Sequence, residues 1–256
     1  MADSAGSGTL SPDIAAVVGA FGERVQSVLG NSLFGIYLYG SLTFTDSRDL
    51  SQDIDFHVVV HEPLGDERRQ AIHRIRPDLA RELGPLAGEL DGYVVLDSDL
   101  QSTSPPRHQL WPLSRVPSDG AWALHCAHIR SGRVITLFGS DPTDIYPTPS
   151  WPDLRTALFG EIRFVDEHLV EAPAYAVLNA TRILYSFHSR DVVISKAGAA
   201  GWALEVLERQ LADTVRAALR HYLGQDTPGD QRTLESQVRP FVDSMWRRIA
   251  NLPSAR

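Results

Sequence analysis

Leu38-Tyr39-Gly40-Ser41, followed after eleven residues by Asp53-Ile54-Asp55-Phe56, is the stretch on which the reading of this chain turns. Leu33 to Tyr39 and Ile54 to Val60 are short runs rich in β-branched and aromatic residues, and both predict buried strands. Gly40-Ser41 closes the first strand in a tight turn. A glycine there lets backbone N–H groups approach a phosphate, and a serine hydroxyl can donate to it. Asp53 and Asp55 open the second strand. Because side chains alternate along a strand, positions 53 and 55 project to one face as a pair of carboxylates. Two such charges repel unless a cation lies between them, and hard oxygen ligands suit Mg²⁺. A phosphate cradle beside a magnesium clamp points to phosphoryl or nucleotidyl transfer. Asp91, just ahead of a third predicted strand at Tyr93–Leu96, is the third acid: a general base for an attacking hydroxyl, or a further metal ligand. Glu89 is the alternative at that strand edge.

Working outward, Ser11-Pro12-Asp13 reads as a helix start, and Ile14, Val17, Val18, Phe21 and Val25 follow at helical spacing. A charged helix is predicted over 66–83, stopped by Gly84-Pro85. A Pro/Ser-rich connection over 98–119 reads as a surface loop or lid, and a helix over 121–130 and a last strand over 134–138 follow. Asp141 to Ser150 holds three prolines in ten residues and predicts a linker. After Trp151 the chain reads as helices over 154–169, 174–187, 196–223 (broken near Leu211) and 232–249. The fold class predicted is α+β: an α/β domain with a mixed sheet over 1–148, of which 1–10 form a mobile tail, then an all-α helical-bundle domain over 149–256.

The chain has 256 residues, 43% hydrophobic and 22% charged, which is ordinary globular composition. Lysine plus arginine number 24 against 32 aspartate plus glutamate, a net charge of −8. That balance disfavours a nucleic-acid partner, whose affinity comes from Lys and Arg on phosphates, and favours a small cationic one. The single cysteine, Cys126, excludes an intramolecular disulfide framework. No apolar run reaches the roughly 18 residues of a membrane span. With no basic and apolar leader at the N-terminus, a cytoplasmic protein without a membrane partner is expected, acting as a monomer. Histidines 125 and 128 have a helical spacing that can bind zinc, but without a companion ligand they read as packing residues, as does His57.

Leu38-Tyr39-Gly40-Ser41, Asp53-Ile54-Asp55-Phe56 and Leu90-Asp91-Gly92-Tyr93-Val94-Val95 together resemble the nucleotidyltransferase superfamily with the polymerase-β-like catalytic fold. The second half narrows the likeness. Tyr175 to Tyr185 with Arg182, Ile194-Ser195-Lys196 with Ala199-Ala200-Gly201-Trp202, and Arg220-His-Tyr222-Leu-Gly224 resemble the helical domain of the streptomycin/spectinomycin 3''-adenylyltransferases. The resemblance implies a resistance-type enzyme that moves AMP from ATP, with Mg²⁺, to a hydroxyl of an aminoglycoside. ATP would lie between the domains. Gly40 and Ser41 would contact phosphates, Asp53 and Asp55 would hold magnesium, and Asp91 would act as base, where the family usually has glutamate. Arg182, Lys196 and Tyr222 would contact the nucleotide. The family's drug-binding acids have no clear equivalents: Ala172 and Trp122 fall near those places, with Glu171 and Asp119 close by, and Trp111 loosely matches a substrate-stacking tryptophan. Trp111, Trp122 and Glu171 are thus the candidates for acceptor contact. Two other readings are a nucleotidyltransferase acting on a biosynthetic metabolite or a protein side chain, and a non-catalytic, antitoxin-like nucleotide binder.

Overall fold

The computed structural model describes residues 10–46, 53–104 and 120–253. They fall into two compact units, Met1–Pro149 and Ser150–Arg256.

The first unit opens with α1 (Pro12–Leu29), whose Ser11 side chain caps the Ile14 N–H and whose first residue is proline. β1 (Leu33–Leu38) leads into a 3₁₀ turn at Gly40–Thr43, and β2 (Ile54–Val60) into α2 (Asp66–Leu83). β3 (Leu90–Leu96), α3 (Trp122–Arg130) and β4 (Ile135–Phe138) complete it. The sheet order is β3-β2-β1-β4. β2 and β3 run parallel, with α2 as the crossover such a pair requires, while β1 is antiparallel to both β2 and β4. The sheet is therefore mixed, as predicted.

Alternation along β2 divides two cores. Ile54, Phe56, Val58 and Val60 join the apolar stripes of α1 and α2 on one face. His57 and Val59 turn the other way, where Tyr37, Tyr39, Val95 and the α3 residues Trp122, Cys126 and Ile129 meet them. The histidine and tyrosines there make it a mixed aromatic core, on the face that also carries Asp55 and Asp91.

The second unit is all helix: α4 (Trp151–Glu167), α5 (Pro173–Ser189), α6 (Lys196–Val206), α7 (Arg209–Tyr222) and α8 (Pro228–Ala250). α5 is central and packs on each of the other four. Ala199, Ala200 and Ala203 of α6 are fully buried, and Trp202 meets Tyr185 of α5 edge-on at 5.4 Å.

Several boundaries differ from the sequence reading, among them the start of α4 at Trp151 rather than 154. β3 begins at Leu90, three residues early, because the parallel ladder with β2 runs from Ile54–Leu90 onward; Asp91 thus lies within the strand. Gly92 permits this, since a Cβ at that position would lie 2.0 Å from the Phe56 carbonyl oxygen. The helical stretch after Lys196 breaks at Leu207–Glu208, and α8 starts four residues early, at Pro228. The Pro-rich stretch at 141–150 is no free linker, for Pro142 and Tyr146 are buried. Asp53 stands one residue ahead of β2 and exposed, while Asp55 is in the strand and half-buried.

A capping box starts α8: the Thr227 hydroxyl accepts from the Asp230 N–H, and the Asp230 carboxylate accepts from the Thr227 N–H at 2.9 Å. The same carboxylate takes two guanidinium hydrogen bonds from Arg220 on α7. Chiefly the Arg220 hydrogen bonds, aided by those from Thr227, hold the Asp230 carboxyl well below the usual carboxylate range. A carboxyl so depressed adds stability above its unfolded pKa near 4 and loses it as pH falls. Asp230→Asn should lower the melting temperature at neutral pH, and the gap to wild type should shrink on acidification towards about pH 2. Thermal melts across that range check both points.

Candidate active site

Gly40 and Asp55 are built against each other. Gly40 has φ +72°, in the left-handed region that favours glycine, and a Cβ on it would lie 1.9 Å from Asp55 Oδ2. The carboxylate thus occupies the volume of the missing side chain. Tyr39 N–H donates to the Asp55 carbonyl at 3.1 Å, fixing the end of β1 to the start of β2. The turn holds itself: Thr43 Oγ1 donates to the Gly40 carbonyl at 2.7 Å, and Phe44 N–H donates to the Ser41 carbonyl at 3.2 Å. Ser41 is half-buried at the first turn of this 3₁₀ segment.

The parallel register pairs Asp55 with Asp91. Directly opposed residues in a sheet face the same way, so these two carboxylates share a face, with Asp91 the more exposed. Gly40, Ser41, Asp55 and Asp91 are brought together at one end of the sheet, and Asp53 precedes β2 by one residue. Glu89, the alternative third acid, is exposed just ahead of β3. Among the described residues no group of three His, Cys, Asp or Glu side chains forms a protein-only metal cage. The donor set fits another kind of site. Mg²⁺ in phosphoryl-transfer enzymes is held by one or two carboxylates, with substrate phosphates and waters completing its shell.

Beyond the carboxylates lies a layer that the sequence reading underestimated. His57, read as a packing residue, is wholly buried. Its Nδ1 shares a 2.9 Å hydrogen bond with Tyr146 Oη, and its Nε2 has no hydrogen-bond partner among the described residues. The ring lies 4.5 Å from Tyr39, stacks on Trp122 at 4.9 Å, and is 5.4 Å from His125. Burial, and then the neighbouring His125, push its pKa well below the usual histidine value, while burial pushes the Tyr146 phenol well up. Both groups are neutral at pH 7. The residue missed here was Tyr146, which lies in the stretch read as a linker.

Trp122 proves to be part of this core. It is fully buried and its Nε1 donates to the Ser102 carbonyl at 2.9 Å, so it presents no face to an acceptor and is withdrawn as a substrate contact. Trp111 lies outside the described residues. Glu171 is exposed in the turn before α5.

In the second unit Lys196 and Tyr222 do meet. Lys196 Nζ lies 4.7 Å from the centroid of the Tyr175 ring and 5.8 Å from that of Tyr222. Tyr175 is thus a further member, and its seven-residue spacing from Arg182 on α5 was the available signal, since two helical turns bring both onto one side. Arg182 is half-buried.

The fold is that of a nucleotidyltransferase unit followed by a helical unit. A solved structure of spectinomycin adenyltransferase AAD(9) from Enterococcus faecalis, with ATP and spectinomycin, superposes with a TM-score of 0.74 at 16% identity, over 92% of this chain and 99% of that one. Residues 148–248 match the family model described as aminoglycoside adenylyltransferase, C-terminal domain. Among curated proteins, the spectinomycin 9-adenylyltransferase of Campylobacter jejuni is 23% identical over 89% of this chain and 92% of its own length. That of Enterococcus faecalis is 22% identical over 77% and 83%. The relatives act, by their names, at position 9 of spectinomycin, so the 3'' position implied by the sequence resemblance is not carried forward.

Two substitutions test the geometry. Gly40→Ala should lower stability by about 2–3 kcal/mol, combining positive φ with displacement of the Asp55 side chain. Tyr146→Phe should cost about 1–3 kcal/mol, because it leaves His57 Nδ1 buried without its partner. Urea titrations of both variants supply the values.

Proposed function

We propose that the chain is an adenylyltransferase that transfers AMP from Mg-ATP to a hydroxyl of a cationic aminocyclitol, with spectinomycin as the acceptor and its 9-hydroxyl as the target. The observation that carries this is the pairing of Asp55 with Asp91 beside a glycine turn whose side-chain space the Asp55 carboxylate fills. The likeness of the whole chain to spectinomycin adenylyltransferases supports the acceptor class. The net charge of −8 agrees with a cationic acceptor.

In this reading the Gly40–Ser41 turn binds the phosphates, with backbone N–H groups and the Ser41 hydroxyl as donors. Asp53 and Asp55 hold Mg²⁺, which when bound would neutralise charge on the triphosphate. Asp91 accepts the proton of the acceptor hydroxyl. That oxygen forms a bond to the α-phosphorus as the bond to the bridging oxygen breaks, and pyrophosphate leaves with the electron pair. Asp91 is one methylene shorter than the glutamate usual in the resembling family, and its place within β3 sets it directly beside Asp55. Arg182 and Lys196 place positive charge on the phosphates, and Tyr222 contributes to nucleotide binding.

Mass spectrometry of spectinomycin incubated with the protein and Mg-ATP should show the gain of one AMP, with stoichiometric pyrophosphate and no such product from streptomycin. Asp53→Asn and Asp91→Asn should each lower kcat/KM for spectinomycin by about 10²-fold or more. Label from ATP found only in a protein band, or in an uncharged metabolite, would refute the aminocyclitol acceptor. ATP binding with no transfer to any acceptor would refute the enzyme.

A further inference from the structure

Arg133 stands outside the carboxylate cluster, yet it grips the turn that the cluster depends on. It follows α3, and its backbone is tied there. Gly132 adopts φ +79°, and the Arg133 N–H donates to the His128 carbonyl at 3.0 Å, an oxygen that also accepts from the Ser131 hydroxyl at 2.6 Å. The chain is thereby reversed at the helix end, where a cation is favoured by the helix dipole. The side chain reaches back across ninety positions of sequence. Arg133 Nη1 donates to the Thr43 carbonyl at 3.2 Å, and its guanidinium lies over the Phe44 ring, 4.9 Å from the centroid. His128 meets the same ring edge-on at 5.6 Å. Thr43 and Phe44 are the two residues whose own hydrogen bonds close the turn onto Gly40 and Ser41.

We infer that Arg133 is a positioning residue for the phosphate-binding turn, a clamp from the end of α3 that holds Gly40 and Ser41 in the conformation a triphosphate requires. The inference rests on the nucleotide role proposed above for that turn. A surface arginine with a purely local role has no reason to join a backbone carbonyl of the turn and the face of the next residue's ring at once. The guanidinium is suited to this, being planar and able to stack and donate together. Without it, only the edge contact with His128 ties Phe44 to α3, the hydrogen bonds that close the turn open more often, and the turn gains conformations that bind phosphate poorly.

The test compares wild type with Arg133→Met, which keeps the stem, Arg133→Lys, which keeps a cation and one donor, and Phe44→Leu. Amide hydrogen exchange in the unliganded proteins reads the turn directly. In Arg133→Met the Phe44 amide should exchange about tenfold faster while those of β1 and β2 are unchanged, a loss consistent with one charged hydrogen bond and a cation–π contact. Calorimetric affinity for Mg-ATP without acceptor should fall about tenfold, and the KM for ATP should rise alike with kcat for spectinomycin within about threefold. Arg133→Lys should recover most of each effect, and Phe44→Leu should show a smaller one in the same direction. If Arg133→Met does not fold, the lysine and leucine variants carry the comparison. Unchanged exchange at Phe44 overturns the clamp. Faster exchange with unchanged affinity for ATP overturns its purpose. A wild-type chain that binds no Mg-ATP overturns the proposed function and the purpose together.

Discussion

Everything at this end of the first unit depends on the space beside the Gly40 α-carbon. The Asp55 carboxylate fills it, so the turn and the acid are mutually fixed: Gly40 cannot take a side chain, and Asp55 cannot swing inward past it. Positive φ at Gly40 bends the chain out of β1 at the point where the Tyr39 N–H reaches across to the Asp55 carbonyl. A carboxylate located by contact with backbone is set more firmly than one located by another flexible side chain. From there the parallel ladder does the rest. Once Ile54 pairs with Leu90, Asp91 must stand beside Asp55, and the exposure of Asp91 gives it access to a reactant.

The same alternation that puts Asp55 on this face puts His57 on it too, two residues further along, where Trp122 of α3 stacks on its ring. A wholly buried histidine with one nitrogen lacking a partner among the described residues is an uncommon floor for an acidic site, since polar groups buried without hydrogen bonds cost stability. Its aromatic surroundings keep it neutral, and Tyr146 satisfies the other nitrogen from a segment far away in sequence. That segment thereby belongs to the structural support of the carboxylates. The first unit thus uses one strand face for two purposes, with acids at its end and a rigid aromatic layer under its middle.

Much of this was legible in the residues. The Gly-Ser turn and the acidic pair were visible because each rests on local rules, strand period and turn chemistry, that operate within a few residues, whereas the third acid was reached only by supposing a neighbouring strand. The α+β class followed from short β-branched and aromatic runs in the first half and apolar residues at period 3.6 in the second, and the mixed sheet from the family resemblance. What was not legible depends on tertiary pairing. The Asp91-Gly92 dipeptide reads locally as a turn, yet the carbonyl of Phe56 on the neighbouring strand demands a glycine there, and the strand continues through it. Trp122 stood between acceptor contact and core packing because exposure cannot be read from one helix; α3 packs it in the core. Tyr146 sits among prolines, whose linker-like composition concealed an aromatic ring that belongs to the core. The meeting of Lys196 with Tyr175 needs the packing of α5 against α6, which spacing on either helix alone does not specify.

Lys196 offers the last step. It is the first residue of α6, capped by the Ser195 hydroxyl accepting from the Gly198 N–H at 2.8 Å. A lysine at that position opposes the helix dipole, whose positive end favours anions, so on intrinsic grounds the site selects against it. Two tyrosine faces offset the penalty, since a cation over a π-system is attracted by the ring quadrupole. The result is an ammonium seated against two aromatic faces at the start of a helix. Tyr175 and Tyr222 thereby have a definite physical role: they limit the freedom of the ammonium, so less side-chain entropy would be lost in the nucleotide contact proposed for it.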